Sequence, residues 1–151
     1  LCNLPGHLTV WSMEFLQDRK QFVKLGSNYS KSVCIFVGSP QGTIAGPNNF
    51  KLLINDLNLE TLCVKYVDDT TVSTTSADPT DASLQKCTDD LTSWCRCNGM
   101  ILNTDKTKEM IIYLGTKDIC NSISPIVIED EAIERVSCFK LLGVVLSSNL
   151  S

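Results

Sequence analysis

The chain has 151 residues, of which 43% are hydrophobic and 20% are charged, a balance typical of a folded domain and not of a disordered polypeptide. Its net charge of −4 argues against tight nucleic-acid binding by this chain alone, because such binding depends mainly on lysine and arginine. No apolar run approaches the ~20 residues of a membrane-spanning helix, so no membrane association is expected.

The eight cysteines are irregularly spaced, and several lie in apolar runs where cysteine acts as a small hydrophobic side chain. Only Cys95 and Cys97 are close together, and the single histidine, His7, is far from them in sequence. Zinc sites usually take paired ligands roughly two to four residues apart. We therefore expect no zinc site and a reduced intracellular protein, nuclear or cytoplasmic, that is not secreted. The first residue is Leu1 and not Met, which suggests a fragment.

The first half is predicted to contain two helices with strands between them. Leu8, Trp11 and Phe15 recur at helical spacing after Pro5, and proline suits the first turn of a helix. In chain order the predicted elements are a helix over residues 5–17, strands over 21–25 and 33–37, a loop over 38–46 and a helix over 46–57.

The second half is predicted to contain one long helix among strands. Asp78-Pro79 is a typical helix start, and Asn98-Gly99 is a typical stop. The predicted elements are strands over residues 62–67 and 70–74, a helix over 78–98 with a buried stripe of Leu84, Cys87, Leu91 and Trp94, a strand over 107–114, a hairpin of 125–128 with 132–136, and a last strand over 139–146. This order predicts an α+β fold with helices packed on an antiparallel sheet.

The segment Tyr66-Val67-Asp68-Asp69 places two adjacent carboxylates between two predicted strands. Successive side chains of a strand point to opposite faces, so both carboxylates reach one site only if a turn intervenes. Carboxylate oxygens are the ligands that Mg²⁺ prefers, and phosphoryl transfer between nucleotides commonly uses two such ions. The pair predicts a metal site at a hairpin tip, although an Asp-Asp turn without metal has the same pattern.

The loop Gly38-Ser39-Pro40-Gln41-Gly42 combines flexible glycines with a stiff proline and with Gln41, which both donates and accepts hydrogen bonds. It lacks the Gly-Lys-Ser/Thr ending of a Walker phosphate loop and the frame of a serine nucleophile elbow. The pattern indicates either a template-handling loop or an ordinary loop that leads into a helix.

Two later segments carry weaker signals. Lys106 lies in a polar turn over residues 103–107, where a lysine could protonate a departing pyrophosphate or could be merely solvated. The segment Phe139-Lys140-Leu141-Leu142-Gly143 is, by itself, an apolar strand that ends in glycine.

The order and spacing of these segments resemble the reverse transcriptases of non-LTR (LINE-type) retrotransposons. The resemblance rests on residues 11–23, 38–50, 54–57, 66–70, 94–107 and 139–144. Asn48 and Asn49 depart from the pattern, because the family more often has leucines there. The resemblance implies one partial domain over residues 1–151, a palm-like antiparallel sheet with packed helices that runs from the helix before the Pro-Gln-Gly loop to a primer-grip-like strand. The fingers and the first palm strand would be absent.

The resemblance also implies roles for individual residues. The catalytic residues would be Asp68, Asp69 and Lys106, with both aspartates as metal ligands. The nucleotide- and template-binding residues would be Pro40, Gln41, Gly42 and Tyr66. The primer grip would be Phe139, Leu142 and Gly143. The implied cofactor is Mg²⁺, with Mn²⁺ as the alternative, and the implied partners are an RNA template, a DNA primer and deoxynucleoside triphosphates.

The implied function is RNA-directed DNA polymerisation, a nucleotidyl transfer by a two-metal mechanism in the complete protein. The family has another essential aspartate on a strand that precedes the helix around Trp11, and this chain begins after that position. Asp18 is not its equivalent, because it lies at a polar helix end beside Arg19. We therefore expect the fragment to be inactive alone. The alternative is a catalytically inactive retrotransposon remnant that acts at most as an RNA- or protein-binding module.

Overall fold

The computed structural model of the chain describes residues 5–36, 38, 40, 42–113, 115 and 122–150. The chain divides into two compact units, Leu1–Asp56 and Leu57–Ser151. The first contains helix α1 (Gly6–Leu16), strands β1 (Lys20–Gln21), β2 (Lys24–Leu25), β3 (Asn28–Tyr29) and β4 (Val33–Cys34), helix α2 (Ala45–Leu53) and a 3₁₀ turn (Ile54–Asp56). The second contains strands β5 (Leu62–Tyr66) and β6 (Asp69–Ser73), helix α3 (Ser83–Cys97), and strands β7 (Lys108–Glu109), β8 (Val127–Ile128), β9 (Glu131–Ala132), β10 (Glu134–Arg135), β11 (Cys138–Leu141) and β12 (Val144–Ser147).

Helix α1 forms where the apolar spacing predicts it, directly after Pro5. Trp11 and Phe15 lie about one turn apart, and their rings stack with centroids 5.6 Å apart. None of the residues of α1 is buried, and Trp11 is 54% exposed. Backbone hydrogen bonds and this ring contact therefore hold the helix, and its apolar stripe stays on the surface of the described part of the first unit.

The four strands of the first unit form two antiparallel pairs that follow one another along an interrupted ribbon. Strand β2 pairs with β3 across a turn at Gly26, whose φ is 62°, and β1 pairs with β4 farther along. Between the two pairs, residues 22–23 face residues 30–32, so the ribbon carries a bulge. The predicted strands over 21–25 and 33–37 are confirmed as these interrupted pairs, and residue 37 lies outside the described residues.

Helix α2 begins one residue before the predicted Gly46, with Pro47 in its first turn. The two asparagines that depart from the family pattern lie in this helix. Asn48 is exposed, whereas Asn49 is half-buried, and its Nδ2 atom is buried with no hydrogen-bond partner among the described residues. A buried donor without a partner destabilises a fold by about 1–3 kcal/mol. Asn49 therefore weakens the packing of α2.

In the second unit, the β5–β6 hairpin lies against helix α3. Burial alternates along β5: Cys63 and Lys65 are half-buried, and Leu62, Val64 and Tyr66 are exposed. This period of two is what a strand with one covered face produces. The predicted strands on either side of the aspartate pair are confirmed.

Helix α3 begins at Ser83, so the predicted start at Asp78-Pro79 is wrong. Asp78 instead closes a local turn, in which its Oδ1 accepts hydrogen bonds from the amide and the hydroxyl of Thr80 at 2.8 and 2.7 Å. These bonds hold the pKa of Asp78 below its usual value. The carboxylate of Asp81 accepts a hydrogen bond from the Ser83 amide at 2.8 Å and so satisfies a free donor at the helix start.

Helix α3 supplies two of the five buried apolar residues found in the described part of the second unit, Cys87 and Cys95. Of the predicted stripe, Cys87 is buried and the other three residues are half-buried, while Cys95 is buried as well. Burial raises the pKa of the Cys95 thiol. The side-chain amide of Gln85 exchanges two hydrogen bonds with the backbone of Val127, at 2.8 and 2.9 Å, and so joins α3 to strand β8.

Helix α3 ends at Cys97, directly before the predicted stop at Asn98-Gly99. The Met100 amide donates to the Cys95 carbonyl at 2.8 Å and the Gly99 amide donates to the Arg96 carbonyl at 3.2 Å. This pair of bonds, with Gly99 at a φ of 67°, is the Schellman arrangement that glycine favours.

Strand β7 pairs in parallel with β10, and an ion pair joins the two strands. Arg135 donates from Nε and Nη2 to the two carboxylate oxygens of Glu109, at 2.9 and 3.3 Å, and the Glu109 side chain is only 5% exposed. Arg135 also donates to the carbonyls of Ile123 and Ser124. The predicted strand over 107–114 is wrong in length, because only Lys108–Glu109 finds a strand partner among the described residues.

Two tight hairpins complete the second unit. Strands β8 and β9 pair across Glu129-Asp130, which confirms the predicted hairpin in a shorter form. Strands β11 and β12 pair across Leu142-Gly143, so the single strand predicted over 139–146 is wrong. Leu142 and Gly143 take φ values of 48° and 88°, as a two-residue hairpin turn requires.

Helices and antiparallel strand pairs occur together, as the predicted α+β class requires. The described strands form six separate pairs, and β7 with β10 is the parallel pair among them. The palm-like sheet stays a prediction. Across the described residues, no helix is long and apolar enough to cross a membrane.

Replacing Asn49 with leucine is expected to stabilise the first unit by about 1–2 kcal/mol, because it removes the unsatisfied amide and adds buried apolar surface. Urea unfolding followed by Trp11 fluorescence, in a Trp94→Phe background, measures the change. Asn48→Leu is the matched control, and its effect should stay below about 0.5 kcal/mol because Asn48 is exposed. Equal effects of the two substitutions would contradict this account.

Replacing Arg135 with methionine is expected to destabilise the second unit by about 3 kcal/mol, because it leaves the Glu109 carboxylate buried without its partner. The double variant Glu109→Leu/Arg135→Met should recover at least half of that loss. The control is Arg96→Met, which breaks an exposed pair with Glu129 and should cost less than about 1 kcal/mol. Urea unfolding followed by Trp94 fluorescence, in a Trp11→Phe background, compares them; equal losses for the two arginines would refute the buried-pair argument.

Candidate functional site

The aspartate pair lies at the tip of the β5–β6 hairpin. Tyr66 is paired directly with Asp69, so Val67 and Asp68 alone form the turn. Asp68 therefore belongs to the turn and Asp69 is the first residue of β6. Residues paired across an antiparallel ladder share a face, which places Tyr66 and Asp69 on the same face of the hairpin.

The turn depends on an unusual backbone conformation at Val67, whose φ is 55°. Tight hairpins take positive φ at the first turn position because this matches the twist of the strands. Glycine or asparagine normally occupies such a position, since the left-handed region costs other residues about 1–2 kcal/mol. Val67 is β-branched, so the turn is strained, and the ladder of β5 with β6 has to maintain it.

Both carboxylates are accessible. Asp68 and Asp69 are exposed, and in the described residues no ion pair links either of them to lysine or arginine. No group of three or more histidine, cysteine, aspartate or glutamate side chains gathers as a metal site in the described part of the chain. The two residues offer hard oxygen donors that fit part of a Mg²⁺ ligand set.

The loop before α2 is fixed at two points within the first unit. Arg19 donates from Nη1 to the carbonyl of Gly38 at 3.0 Å. The Thr43 hydroxyl donates to the Pro40 carbonyl at 3.1 Å and accepts from the Gly46 amide at 3.0 Å. A side chain at Gly46 would collide with the Pro40 carbonyl oxygen, so this position requires glycine.

Three predicted template-binding residues belong to this loop. Pro40 is half-buried, and Gly42 is exposed with a φ of 75°, a conformation that favours glycine. Gln41 lies outside the described residues, so its predicted role is still a prediction. Tyr66, the fourth, lies on the hairpin of the second unit and is 60% exposed.

Lys106 lies in a turn organised by Asn103. The Lys106 amide donates to the backbone carbonyl and to the side-chain Oδ1 of Asn103, and Thr107 donates twice to the same carbonyl. The Lys106 side chain is exposed. Within the described residues, no hydrogen bond or ion pair joins Lys106 to Asp68 or Asp69, and its predicted role is not tested by this geometry.

The predicted primer-grip residues lie on the β11–β12 hairpin. Phe139 is half-buried in β11 and is paired with Leu146. Leu142 and Gly143 form the turn and do not continue an apolar strand, which corrects the predicted local structure. Both turn residues are exposed, so their implied contact with a primer end stays a prediction.

Sequence reasoning did not find three residues that shape these segments. Thr43 and Arg19 hold the loop, and Val67 sets the hairpin turn. Thr43 has a recognisable signal, since threonine three residues before Gly46 can accept the free amide at a helix start. A valine in a left-handed turn has no comparable signal.

The sequence pattern of the reverse transcriptase (RNA-dependent DNA polymerase) family matches residues 3–146, and the chain therefore belongs to this family. This confirms the resemblance at the family level.

Two curated relatives from Drosophila melanogaster are similar to the chain. The probable RNA-directed DNA polymerase from transposon BS is 26% identical over 149 residues, which cover 91% of this chain and 16% of that protein. The RNA-directed DNA polymerase from mobile element jockey is 24% identical over 159 residues, which cover 97% of this chain and 17% of that protein. The chain thus spans about a sixth of the length of these relatives. No solved structure matches it significantly.

Replacing Val67 with asparagine is expected to stabilise the second unit by about 1 kcal/mol, because asparagine tolerates the left-handed conformation. Little packing is lost, since Val67 is 51% exposed. The matched control is Val64→Asn, at a similarly exposed strand position, which should destabilise because asparagine is unfavourable in strands. Urea unfolding followed by Trp94 fluorescence, in a Trp11→Phe background, compares the two, and a loss of stability for Val67→Asn would count against strain in the turn.

Proposed function

We propose that the chain is part of the palm of an RNA-directed DNA polymerase and that the tip of the β5–β6 hairpin belongs to its nucleotidyl-transfer site. The observation that carries the proposal is the exposed pair Asp68-Asp69, which no cation neutralises within the described residues. The pair lies inside a segment that matches the reverse transcriptase family. The two relatives, RNA-directed DNA polymerases of mobile elements, support the same class of reaction.

Asp68 and Asp69 would hold divalent ions, Mg²⁺ or alternatively Mn²⁺. Such ions, when bound, neutralise the triphosphate and lower the pKa of the attacking hydroxyl. Mg²⁺ takes about six oxygen ligands, so two carboxylates supply only part of the set for two ions. The remaining ligands would come from other parts of the polymerase, from substrate phosphates and from water. For this reason we expect no polymerisation by these 151 residues alone.

The reaction would be the attack of a primer 3′ hydroxyl on the α-phosphate of a deoxynucleoside triphosphate. A new P–O bond forms, the bond to pyrophosphate breaks, and the hydroxyl proton passes to solvent or to a base. The Lys106 ammonium, exposed at its turn, would donate a proton to the departing pyrophosphate.

The other segments would hold the two nucleic-acid strands and the incoming nucleotide. Tyr66 shares a face with Asp69, so its ring would lie beside the nucleotide whose phosphates the carboxylates serve. The loop of Pro40, Gln41 and Gly42 would contact the RNA template. The β11–β12 turn would support the primer end through Leu142 and Gly143, with Phe139 packed behind it.

A chimera tests the catalytic proposal. Residues 3–146 replace the matching segment of the jockey polymerase, and Mg²⁺-dependent primer extension on an RNA template is measured. Asp68→Asn and Asp69→Asn are each expected to lower incorporation by about two orders of magnitude or more, because each removes a charged metal ligand. Asp130→Asn, at the exposed turn of the β8–β9 hairpin, is the matched control and should leave incorporation unchanged.

Primer extension that survives Asp68→Asn would overturn the assignment of the hairpin tip. A folded chimera that is inactive with the natural segment would favour the alternative, a catalytically inactive remnant. Metal binding further separates a catalytic segment from an inactive remnant. If the assignment of the hairpin tip is correct, Mn²⁺ should broaden the NMR signals of the Asp68 and Asp69 amides in the 151-residue chain, and excess Mg²⁺ should reverse the broadening.

A further inference from the structure

We infer that one face of the β1–β4 ribbon binds single-stranded nucleic acid through stacked aromatic rings and lysines. This surface lies in the first unit, and no catalytic role has been given to its residues. The inference goes beyond nucleotidyl transfer, because it requires no metal and stands whether or not Asp68 and Asp69 are catalytic.

The charge of the chain is unevenly distributed. Residues 19–55 contain five of the thirteen basic residues and none of the seventeen acidic ones. Four of the five basic residues belong to the ribbon, namely Arg19, Lys20, Lys24 and Lys31. The net charge of −4 belongs to the whole chain, and all of its negative charge lies outside residues 19–55. The ribbon is therefore locally positive and can attract phosphates.

The strand period sorts basic and aromatic residues onto one face. Lys20 lies in β1 and Lys24 lies in β2, with Phe22 between them at the same spacing of two. The Ser30 amide donates to the Val23 carbonyl at 2.9 Å, so the chain stays paired between the two strands and the alternation of side chains places these three residues on one side. Tyr29 is paired directly with Lys24, so it shares this face. We call these four residues, with Phe36, the ribbon face.

Ring contacts confirm that three of these side chains meet. The rings of Phe22 and Tyr29 lie with centroids 5.6 Å apart. The Lys24 ammonium lies 5.2 Å from the Tyr29 ring centroid, within the range of a cation–π interaction. Because these contacts leave Phe22 53% and Tyr29 59% exposed, both rings still offer area for a base.

Phe36 extends the face toward the other end of the ribbon. It follows β4 and lies two residues after Cys34, which is paired with Lys20. The Ile35 amide donates to the Arg19 carbonyl at 2.8 Å, so pairing continues past Cys34 and the alternation of side chains places Phe36 on the same face. Its side chain is 92% exposed, although exposure of a phenylalanine ring to water is unfavourable. A stacking partner such as a nucleobase would cover it.

The combination fits a single strand better than a duplex. Unpaired bases present flat surfaces that stack on aromatic rings, each stack strengthening binding, and lysines between the rings follow the phosphates. In a duplex the bases are already stacked on one another, so their flat faces are not available to aromatic side chains and only the backbone and the base edges are accessible. The stretch of residues 19–25 is about 20 Å long, enough for the four or more nucleotides of a small single-strand site.

The test measures binding of labelled oligo(U) RNA and oligo(dT) DNA to the 151-residue chain by fluorescence anisotropy, in EDTA and over a range of NaCl concentrations. We expect a dissociation constant on the order of 10 µM at ~0.1 M salt. Phe22→Leu/Tyr29→Leu should weaken binding about tenfold or more. Lys20→Gln/Lys24→Gln should reduce the slope of log affinity against log salt by about 1.4.

Matched controls separate stacking from general effects. Leu25→Gln changes the opposite face of the same ribbon, and Lys86→Gln/Arg96→Gln removes two charges from α3; neither should alter the affinity. Tyr29→Phe keeps the ring and should retain binding. If circular dichroism shows that the double leucine variant is unfolded, the single variants Phe22→Leu and Tyr29→Leu decide the question in its place.

Ring-dependent binding of either oligonucleotide supports the inference, and the tighter one identifies the natural strand. Two results would overturn it. One is wild-type affinity in the folded leucine variants. The other is equally strong competition by a DNA duplex or by heparin, which would reduce the effect to general attraction of polyanions. Because EDTA removes divalent ions, failure here is distinguishable from failure of the catalytic proposal.

Discussion

The two-residue turn between Tyr66 and Asp69 is the constraint on which the candidate site depends. A continuous strand would send Asp68 and Asp69 to opposite faces. The turn instead takes Asp68 out of the ladder and leaves Asp69 as its first residue. Its backbone requires a left-handed valine, so the ladder has to offset about 1–2 kcal/mol of strain. The hairpin contacts α3 through β6, and Cys63 and Lys65 are half-buried on one face of β5. The position of the carboxylates thus depends on packing behind them.

Few apolar side chains are buried in the described part of the chain, so polar contacts contribute a large share of its stability. The buried apolar residues of the described chain are Leu57, Cys87, Cys95, Ile128 and Ile133, all in the second unit. The ion pair of Glu109 with Arg135 joins strands that are far apart in sequence, and the same guanidinium binds two carbonyls of the preceding loop. Gln85 joins α3 to β8 in a similar way. Because the Glu109 carboxylate is buried, losing Arg135 costs more than the ion pair contributes.

Sequence reasoning succeeded where a local signal determines the element and failed where a partner or a backbone conformation does. Helical spacing after Pro5 and the Asn98-Gly99 stop predict α1 and the end of α3, because both depend on neighbouring residues. At the start of α3, Asp78 accepts from the Thr80 amide and Asp81 accepts from the Ser83 amide, and a helix-start pattern does not show which aspartate precedes the helix. In the run over 139–146, every residue except Lys140 and Gly143 is apolar and consistent with one buried strand, so only Gly143 marked the turn. Strand β7 is short because its partner is a distant parallel strand, and no local pattern contains that information.

For the candidate site, the sequence predicted that the aspartate pair lies at the tip of a hairpin. It did not predict the strained backbone of Val67 in that turn.

The net charge is likewise a property of the whole chain, whereas binding depends on the charges near the binding surface. The whole chain has a net charge of −4. This value argues against nucleic-acid binding only if acidic and basic residues are evenly distributed along the chain. They are not mixed, because all acidic residues lie outside residues 19–55. Electrostatic screening limits each charge to about 10 Å at ordinary salt, so a strand that meets the ribbon face senses mainly the local lysines. Acidic residues elsewhere would instead disfavour binding at other surfaces. The net negative charge lowers the overall affinity for nucleic acid, and the uneven distribution of that charge makes the ribbon the preferred place of contact.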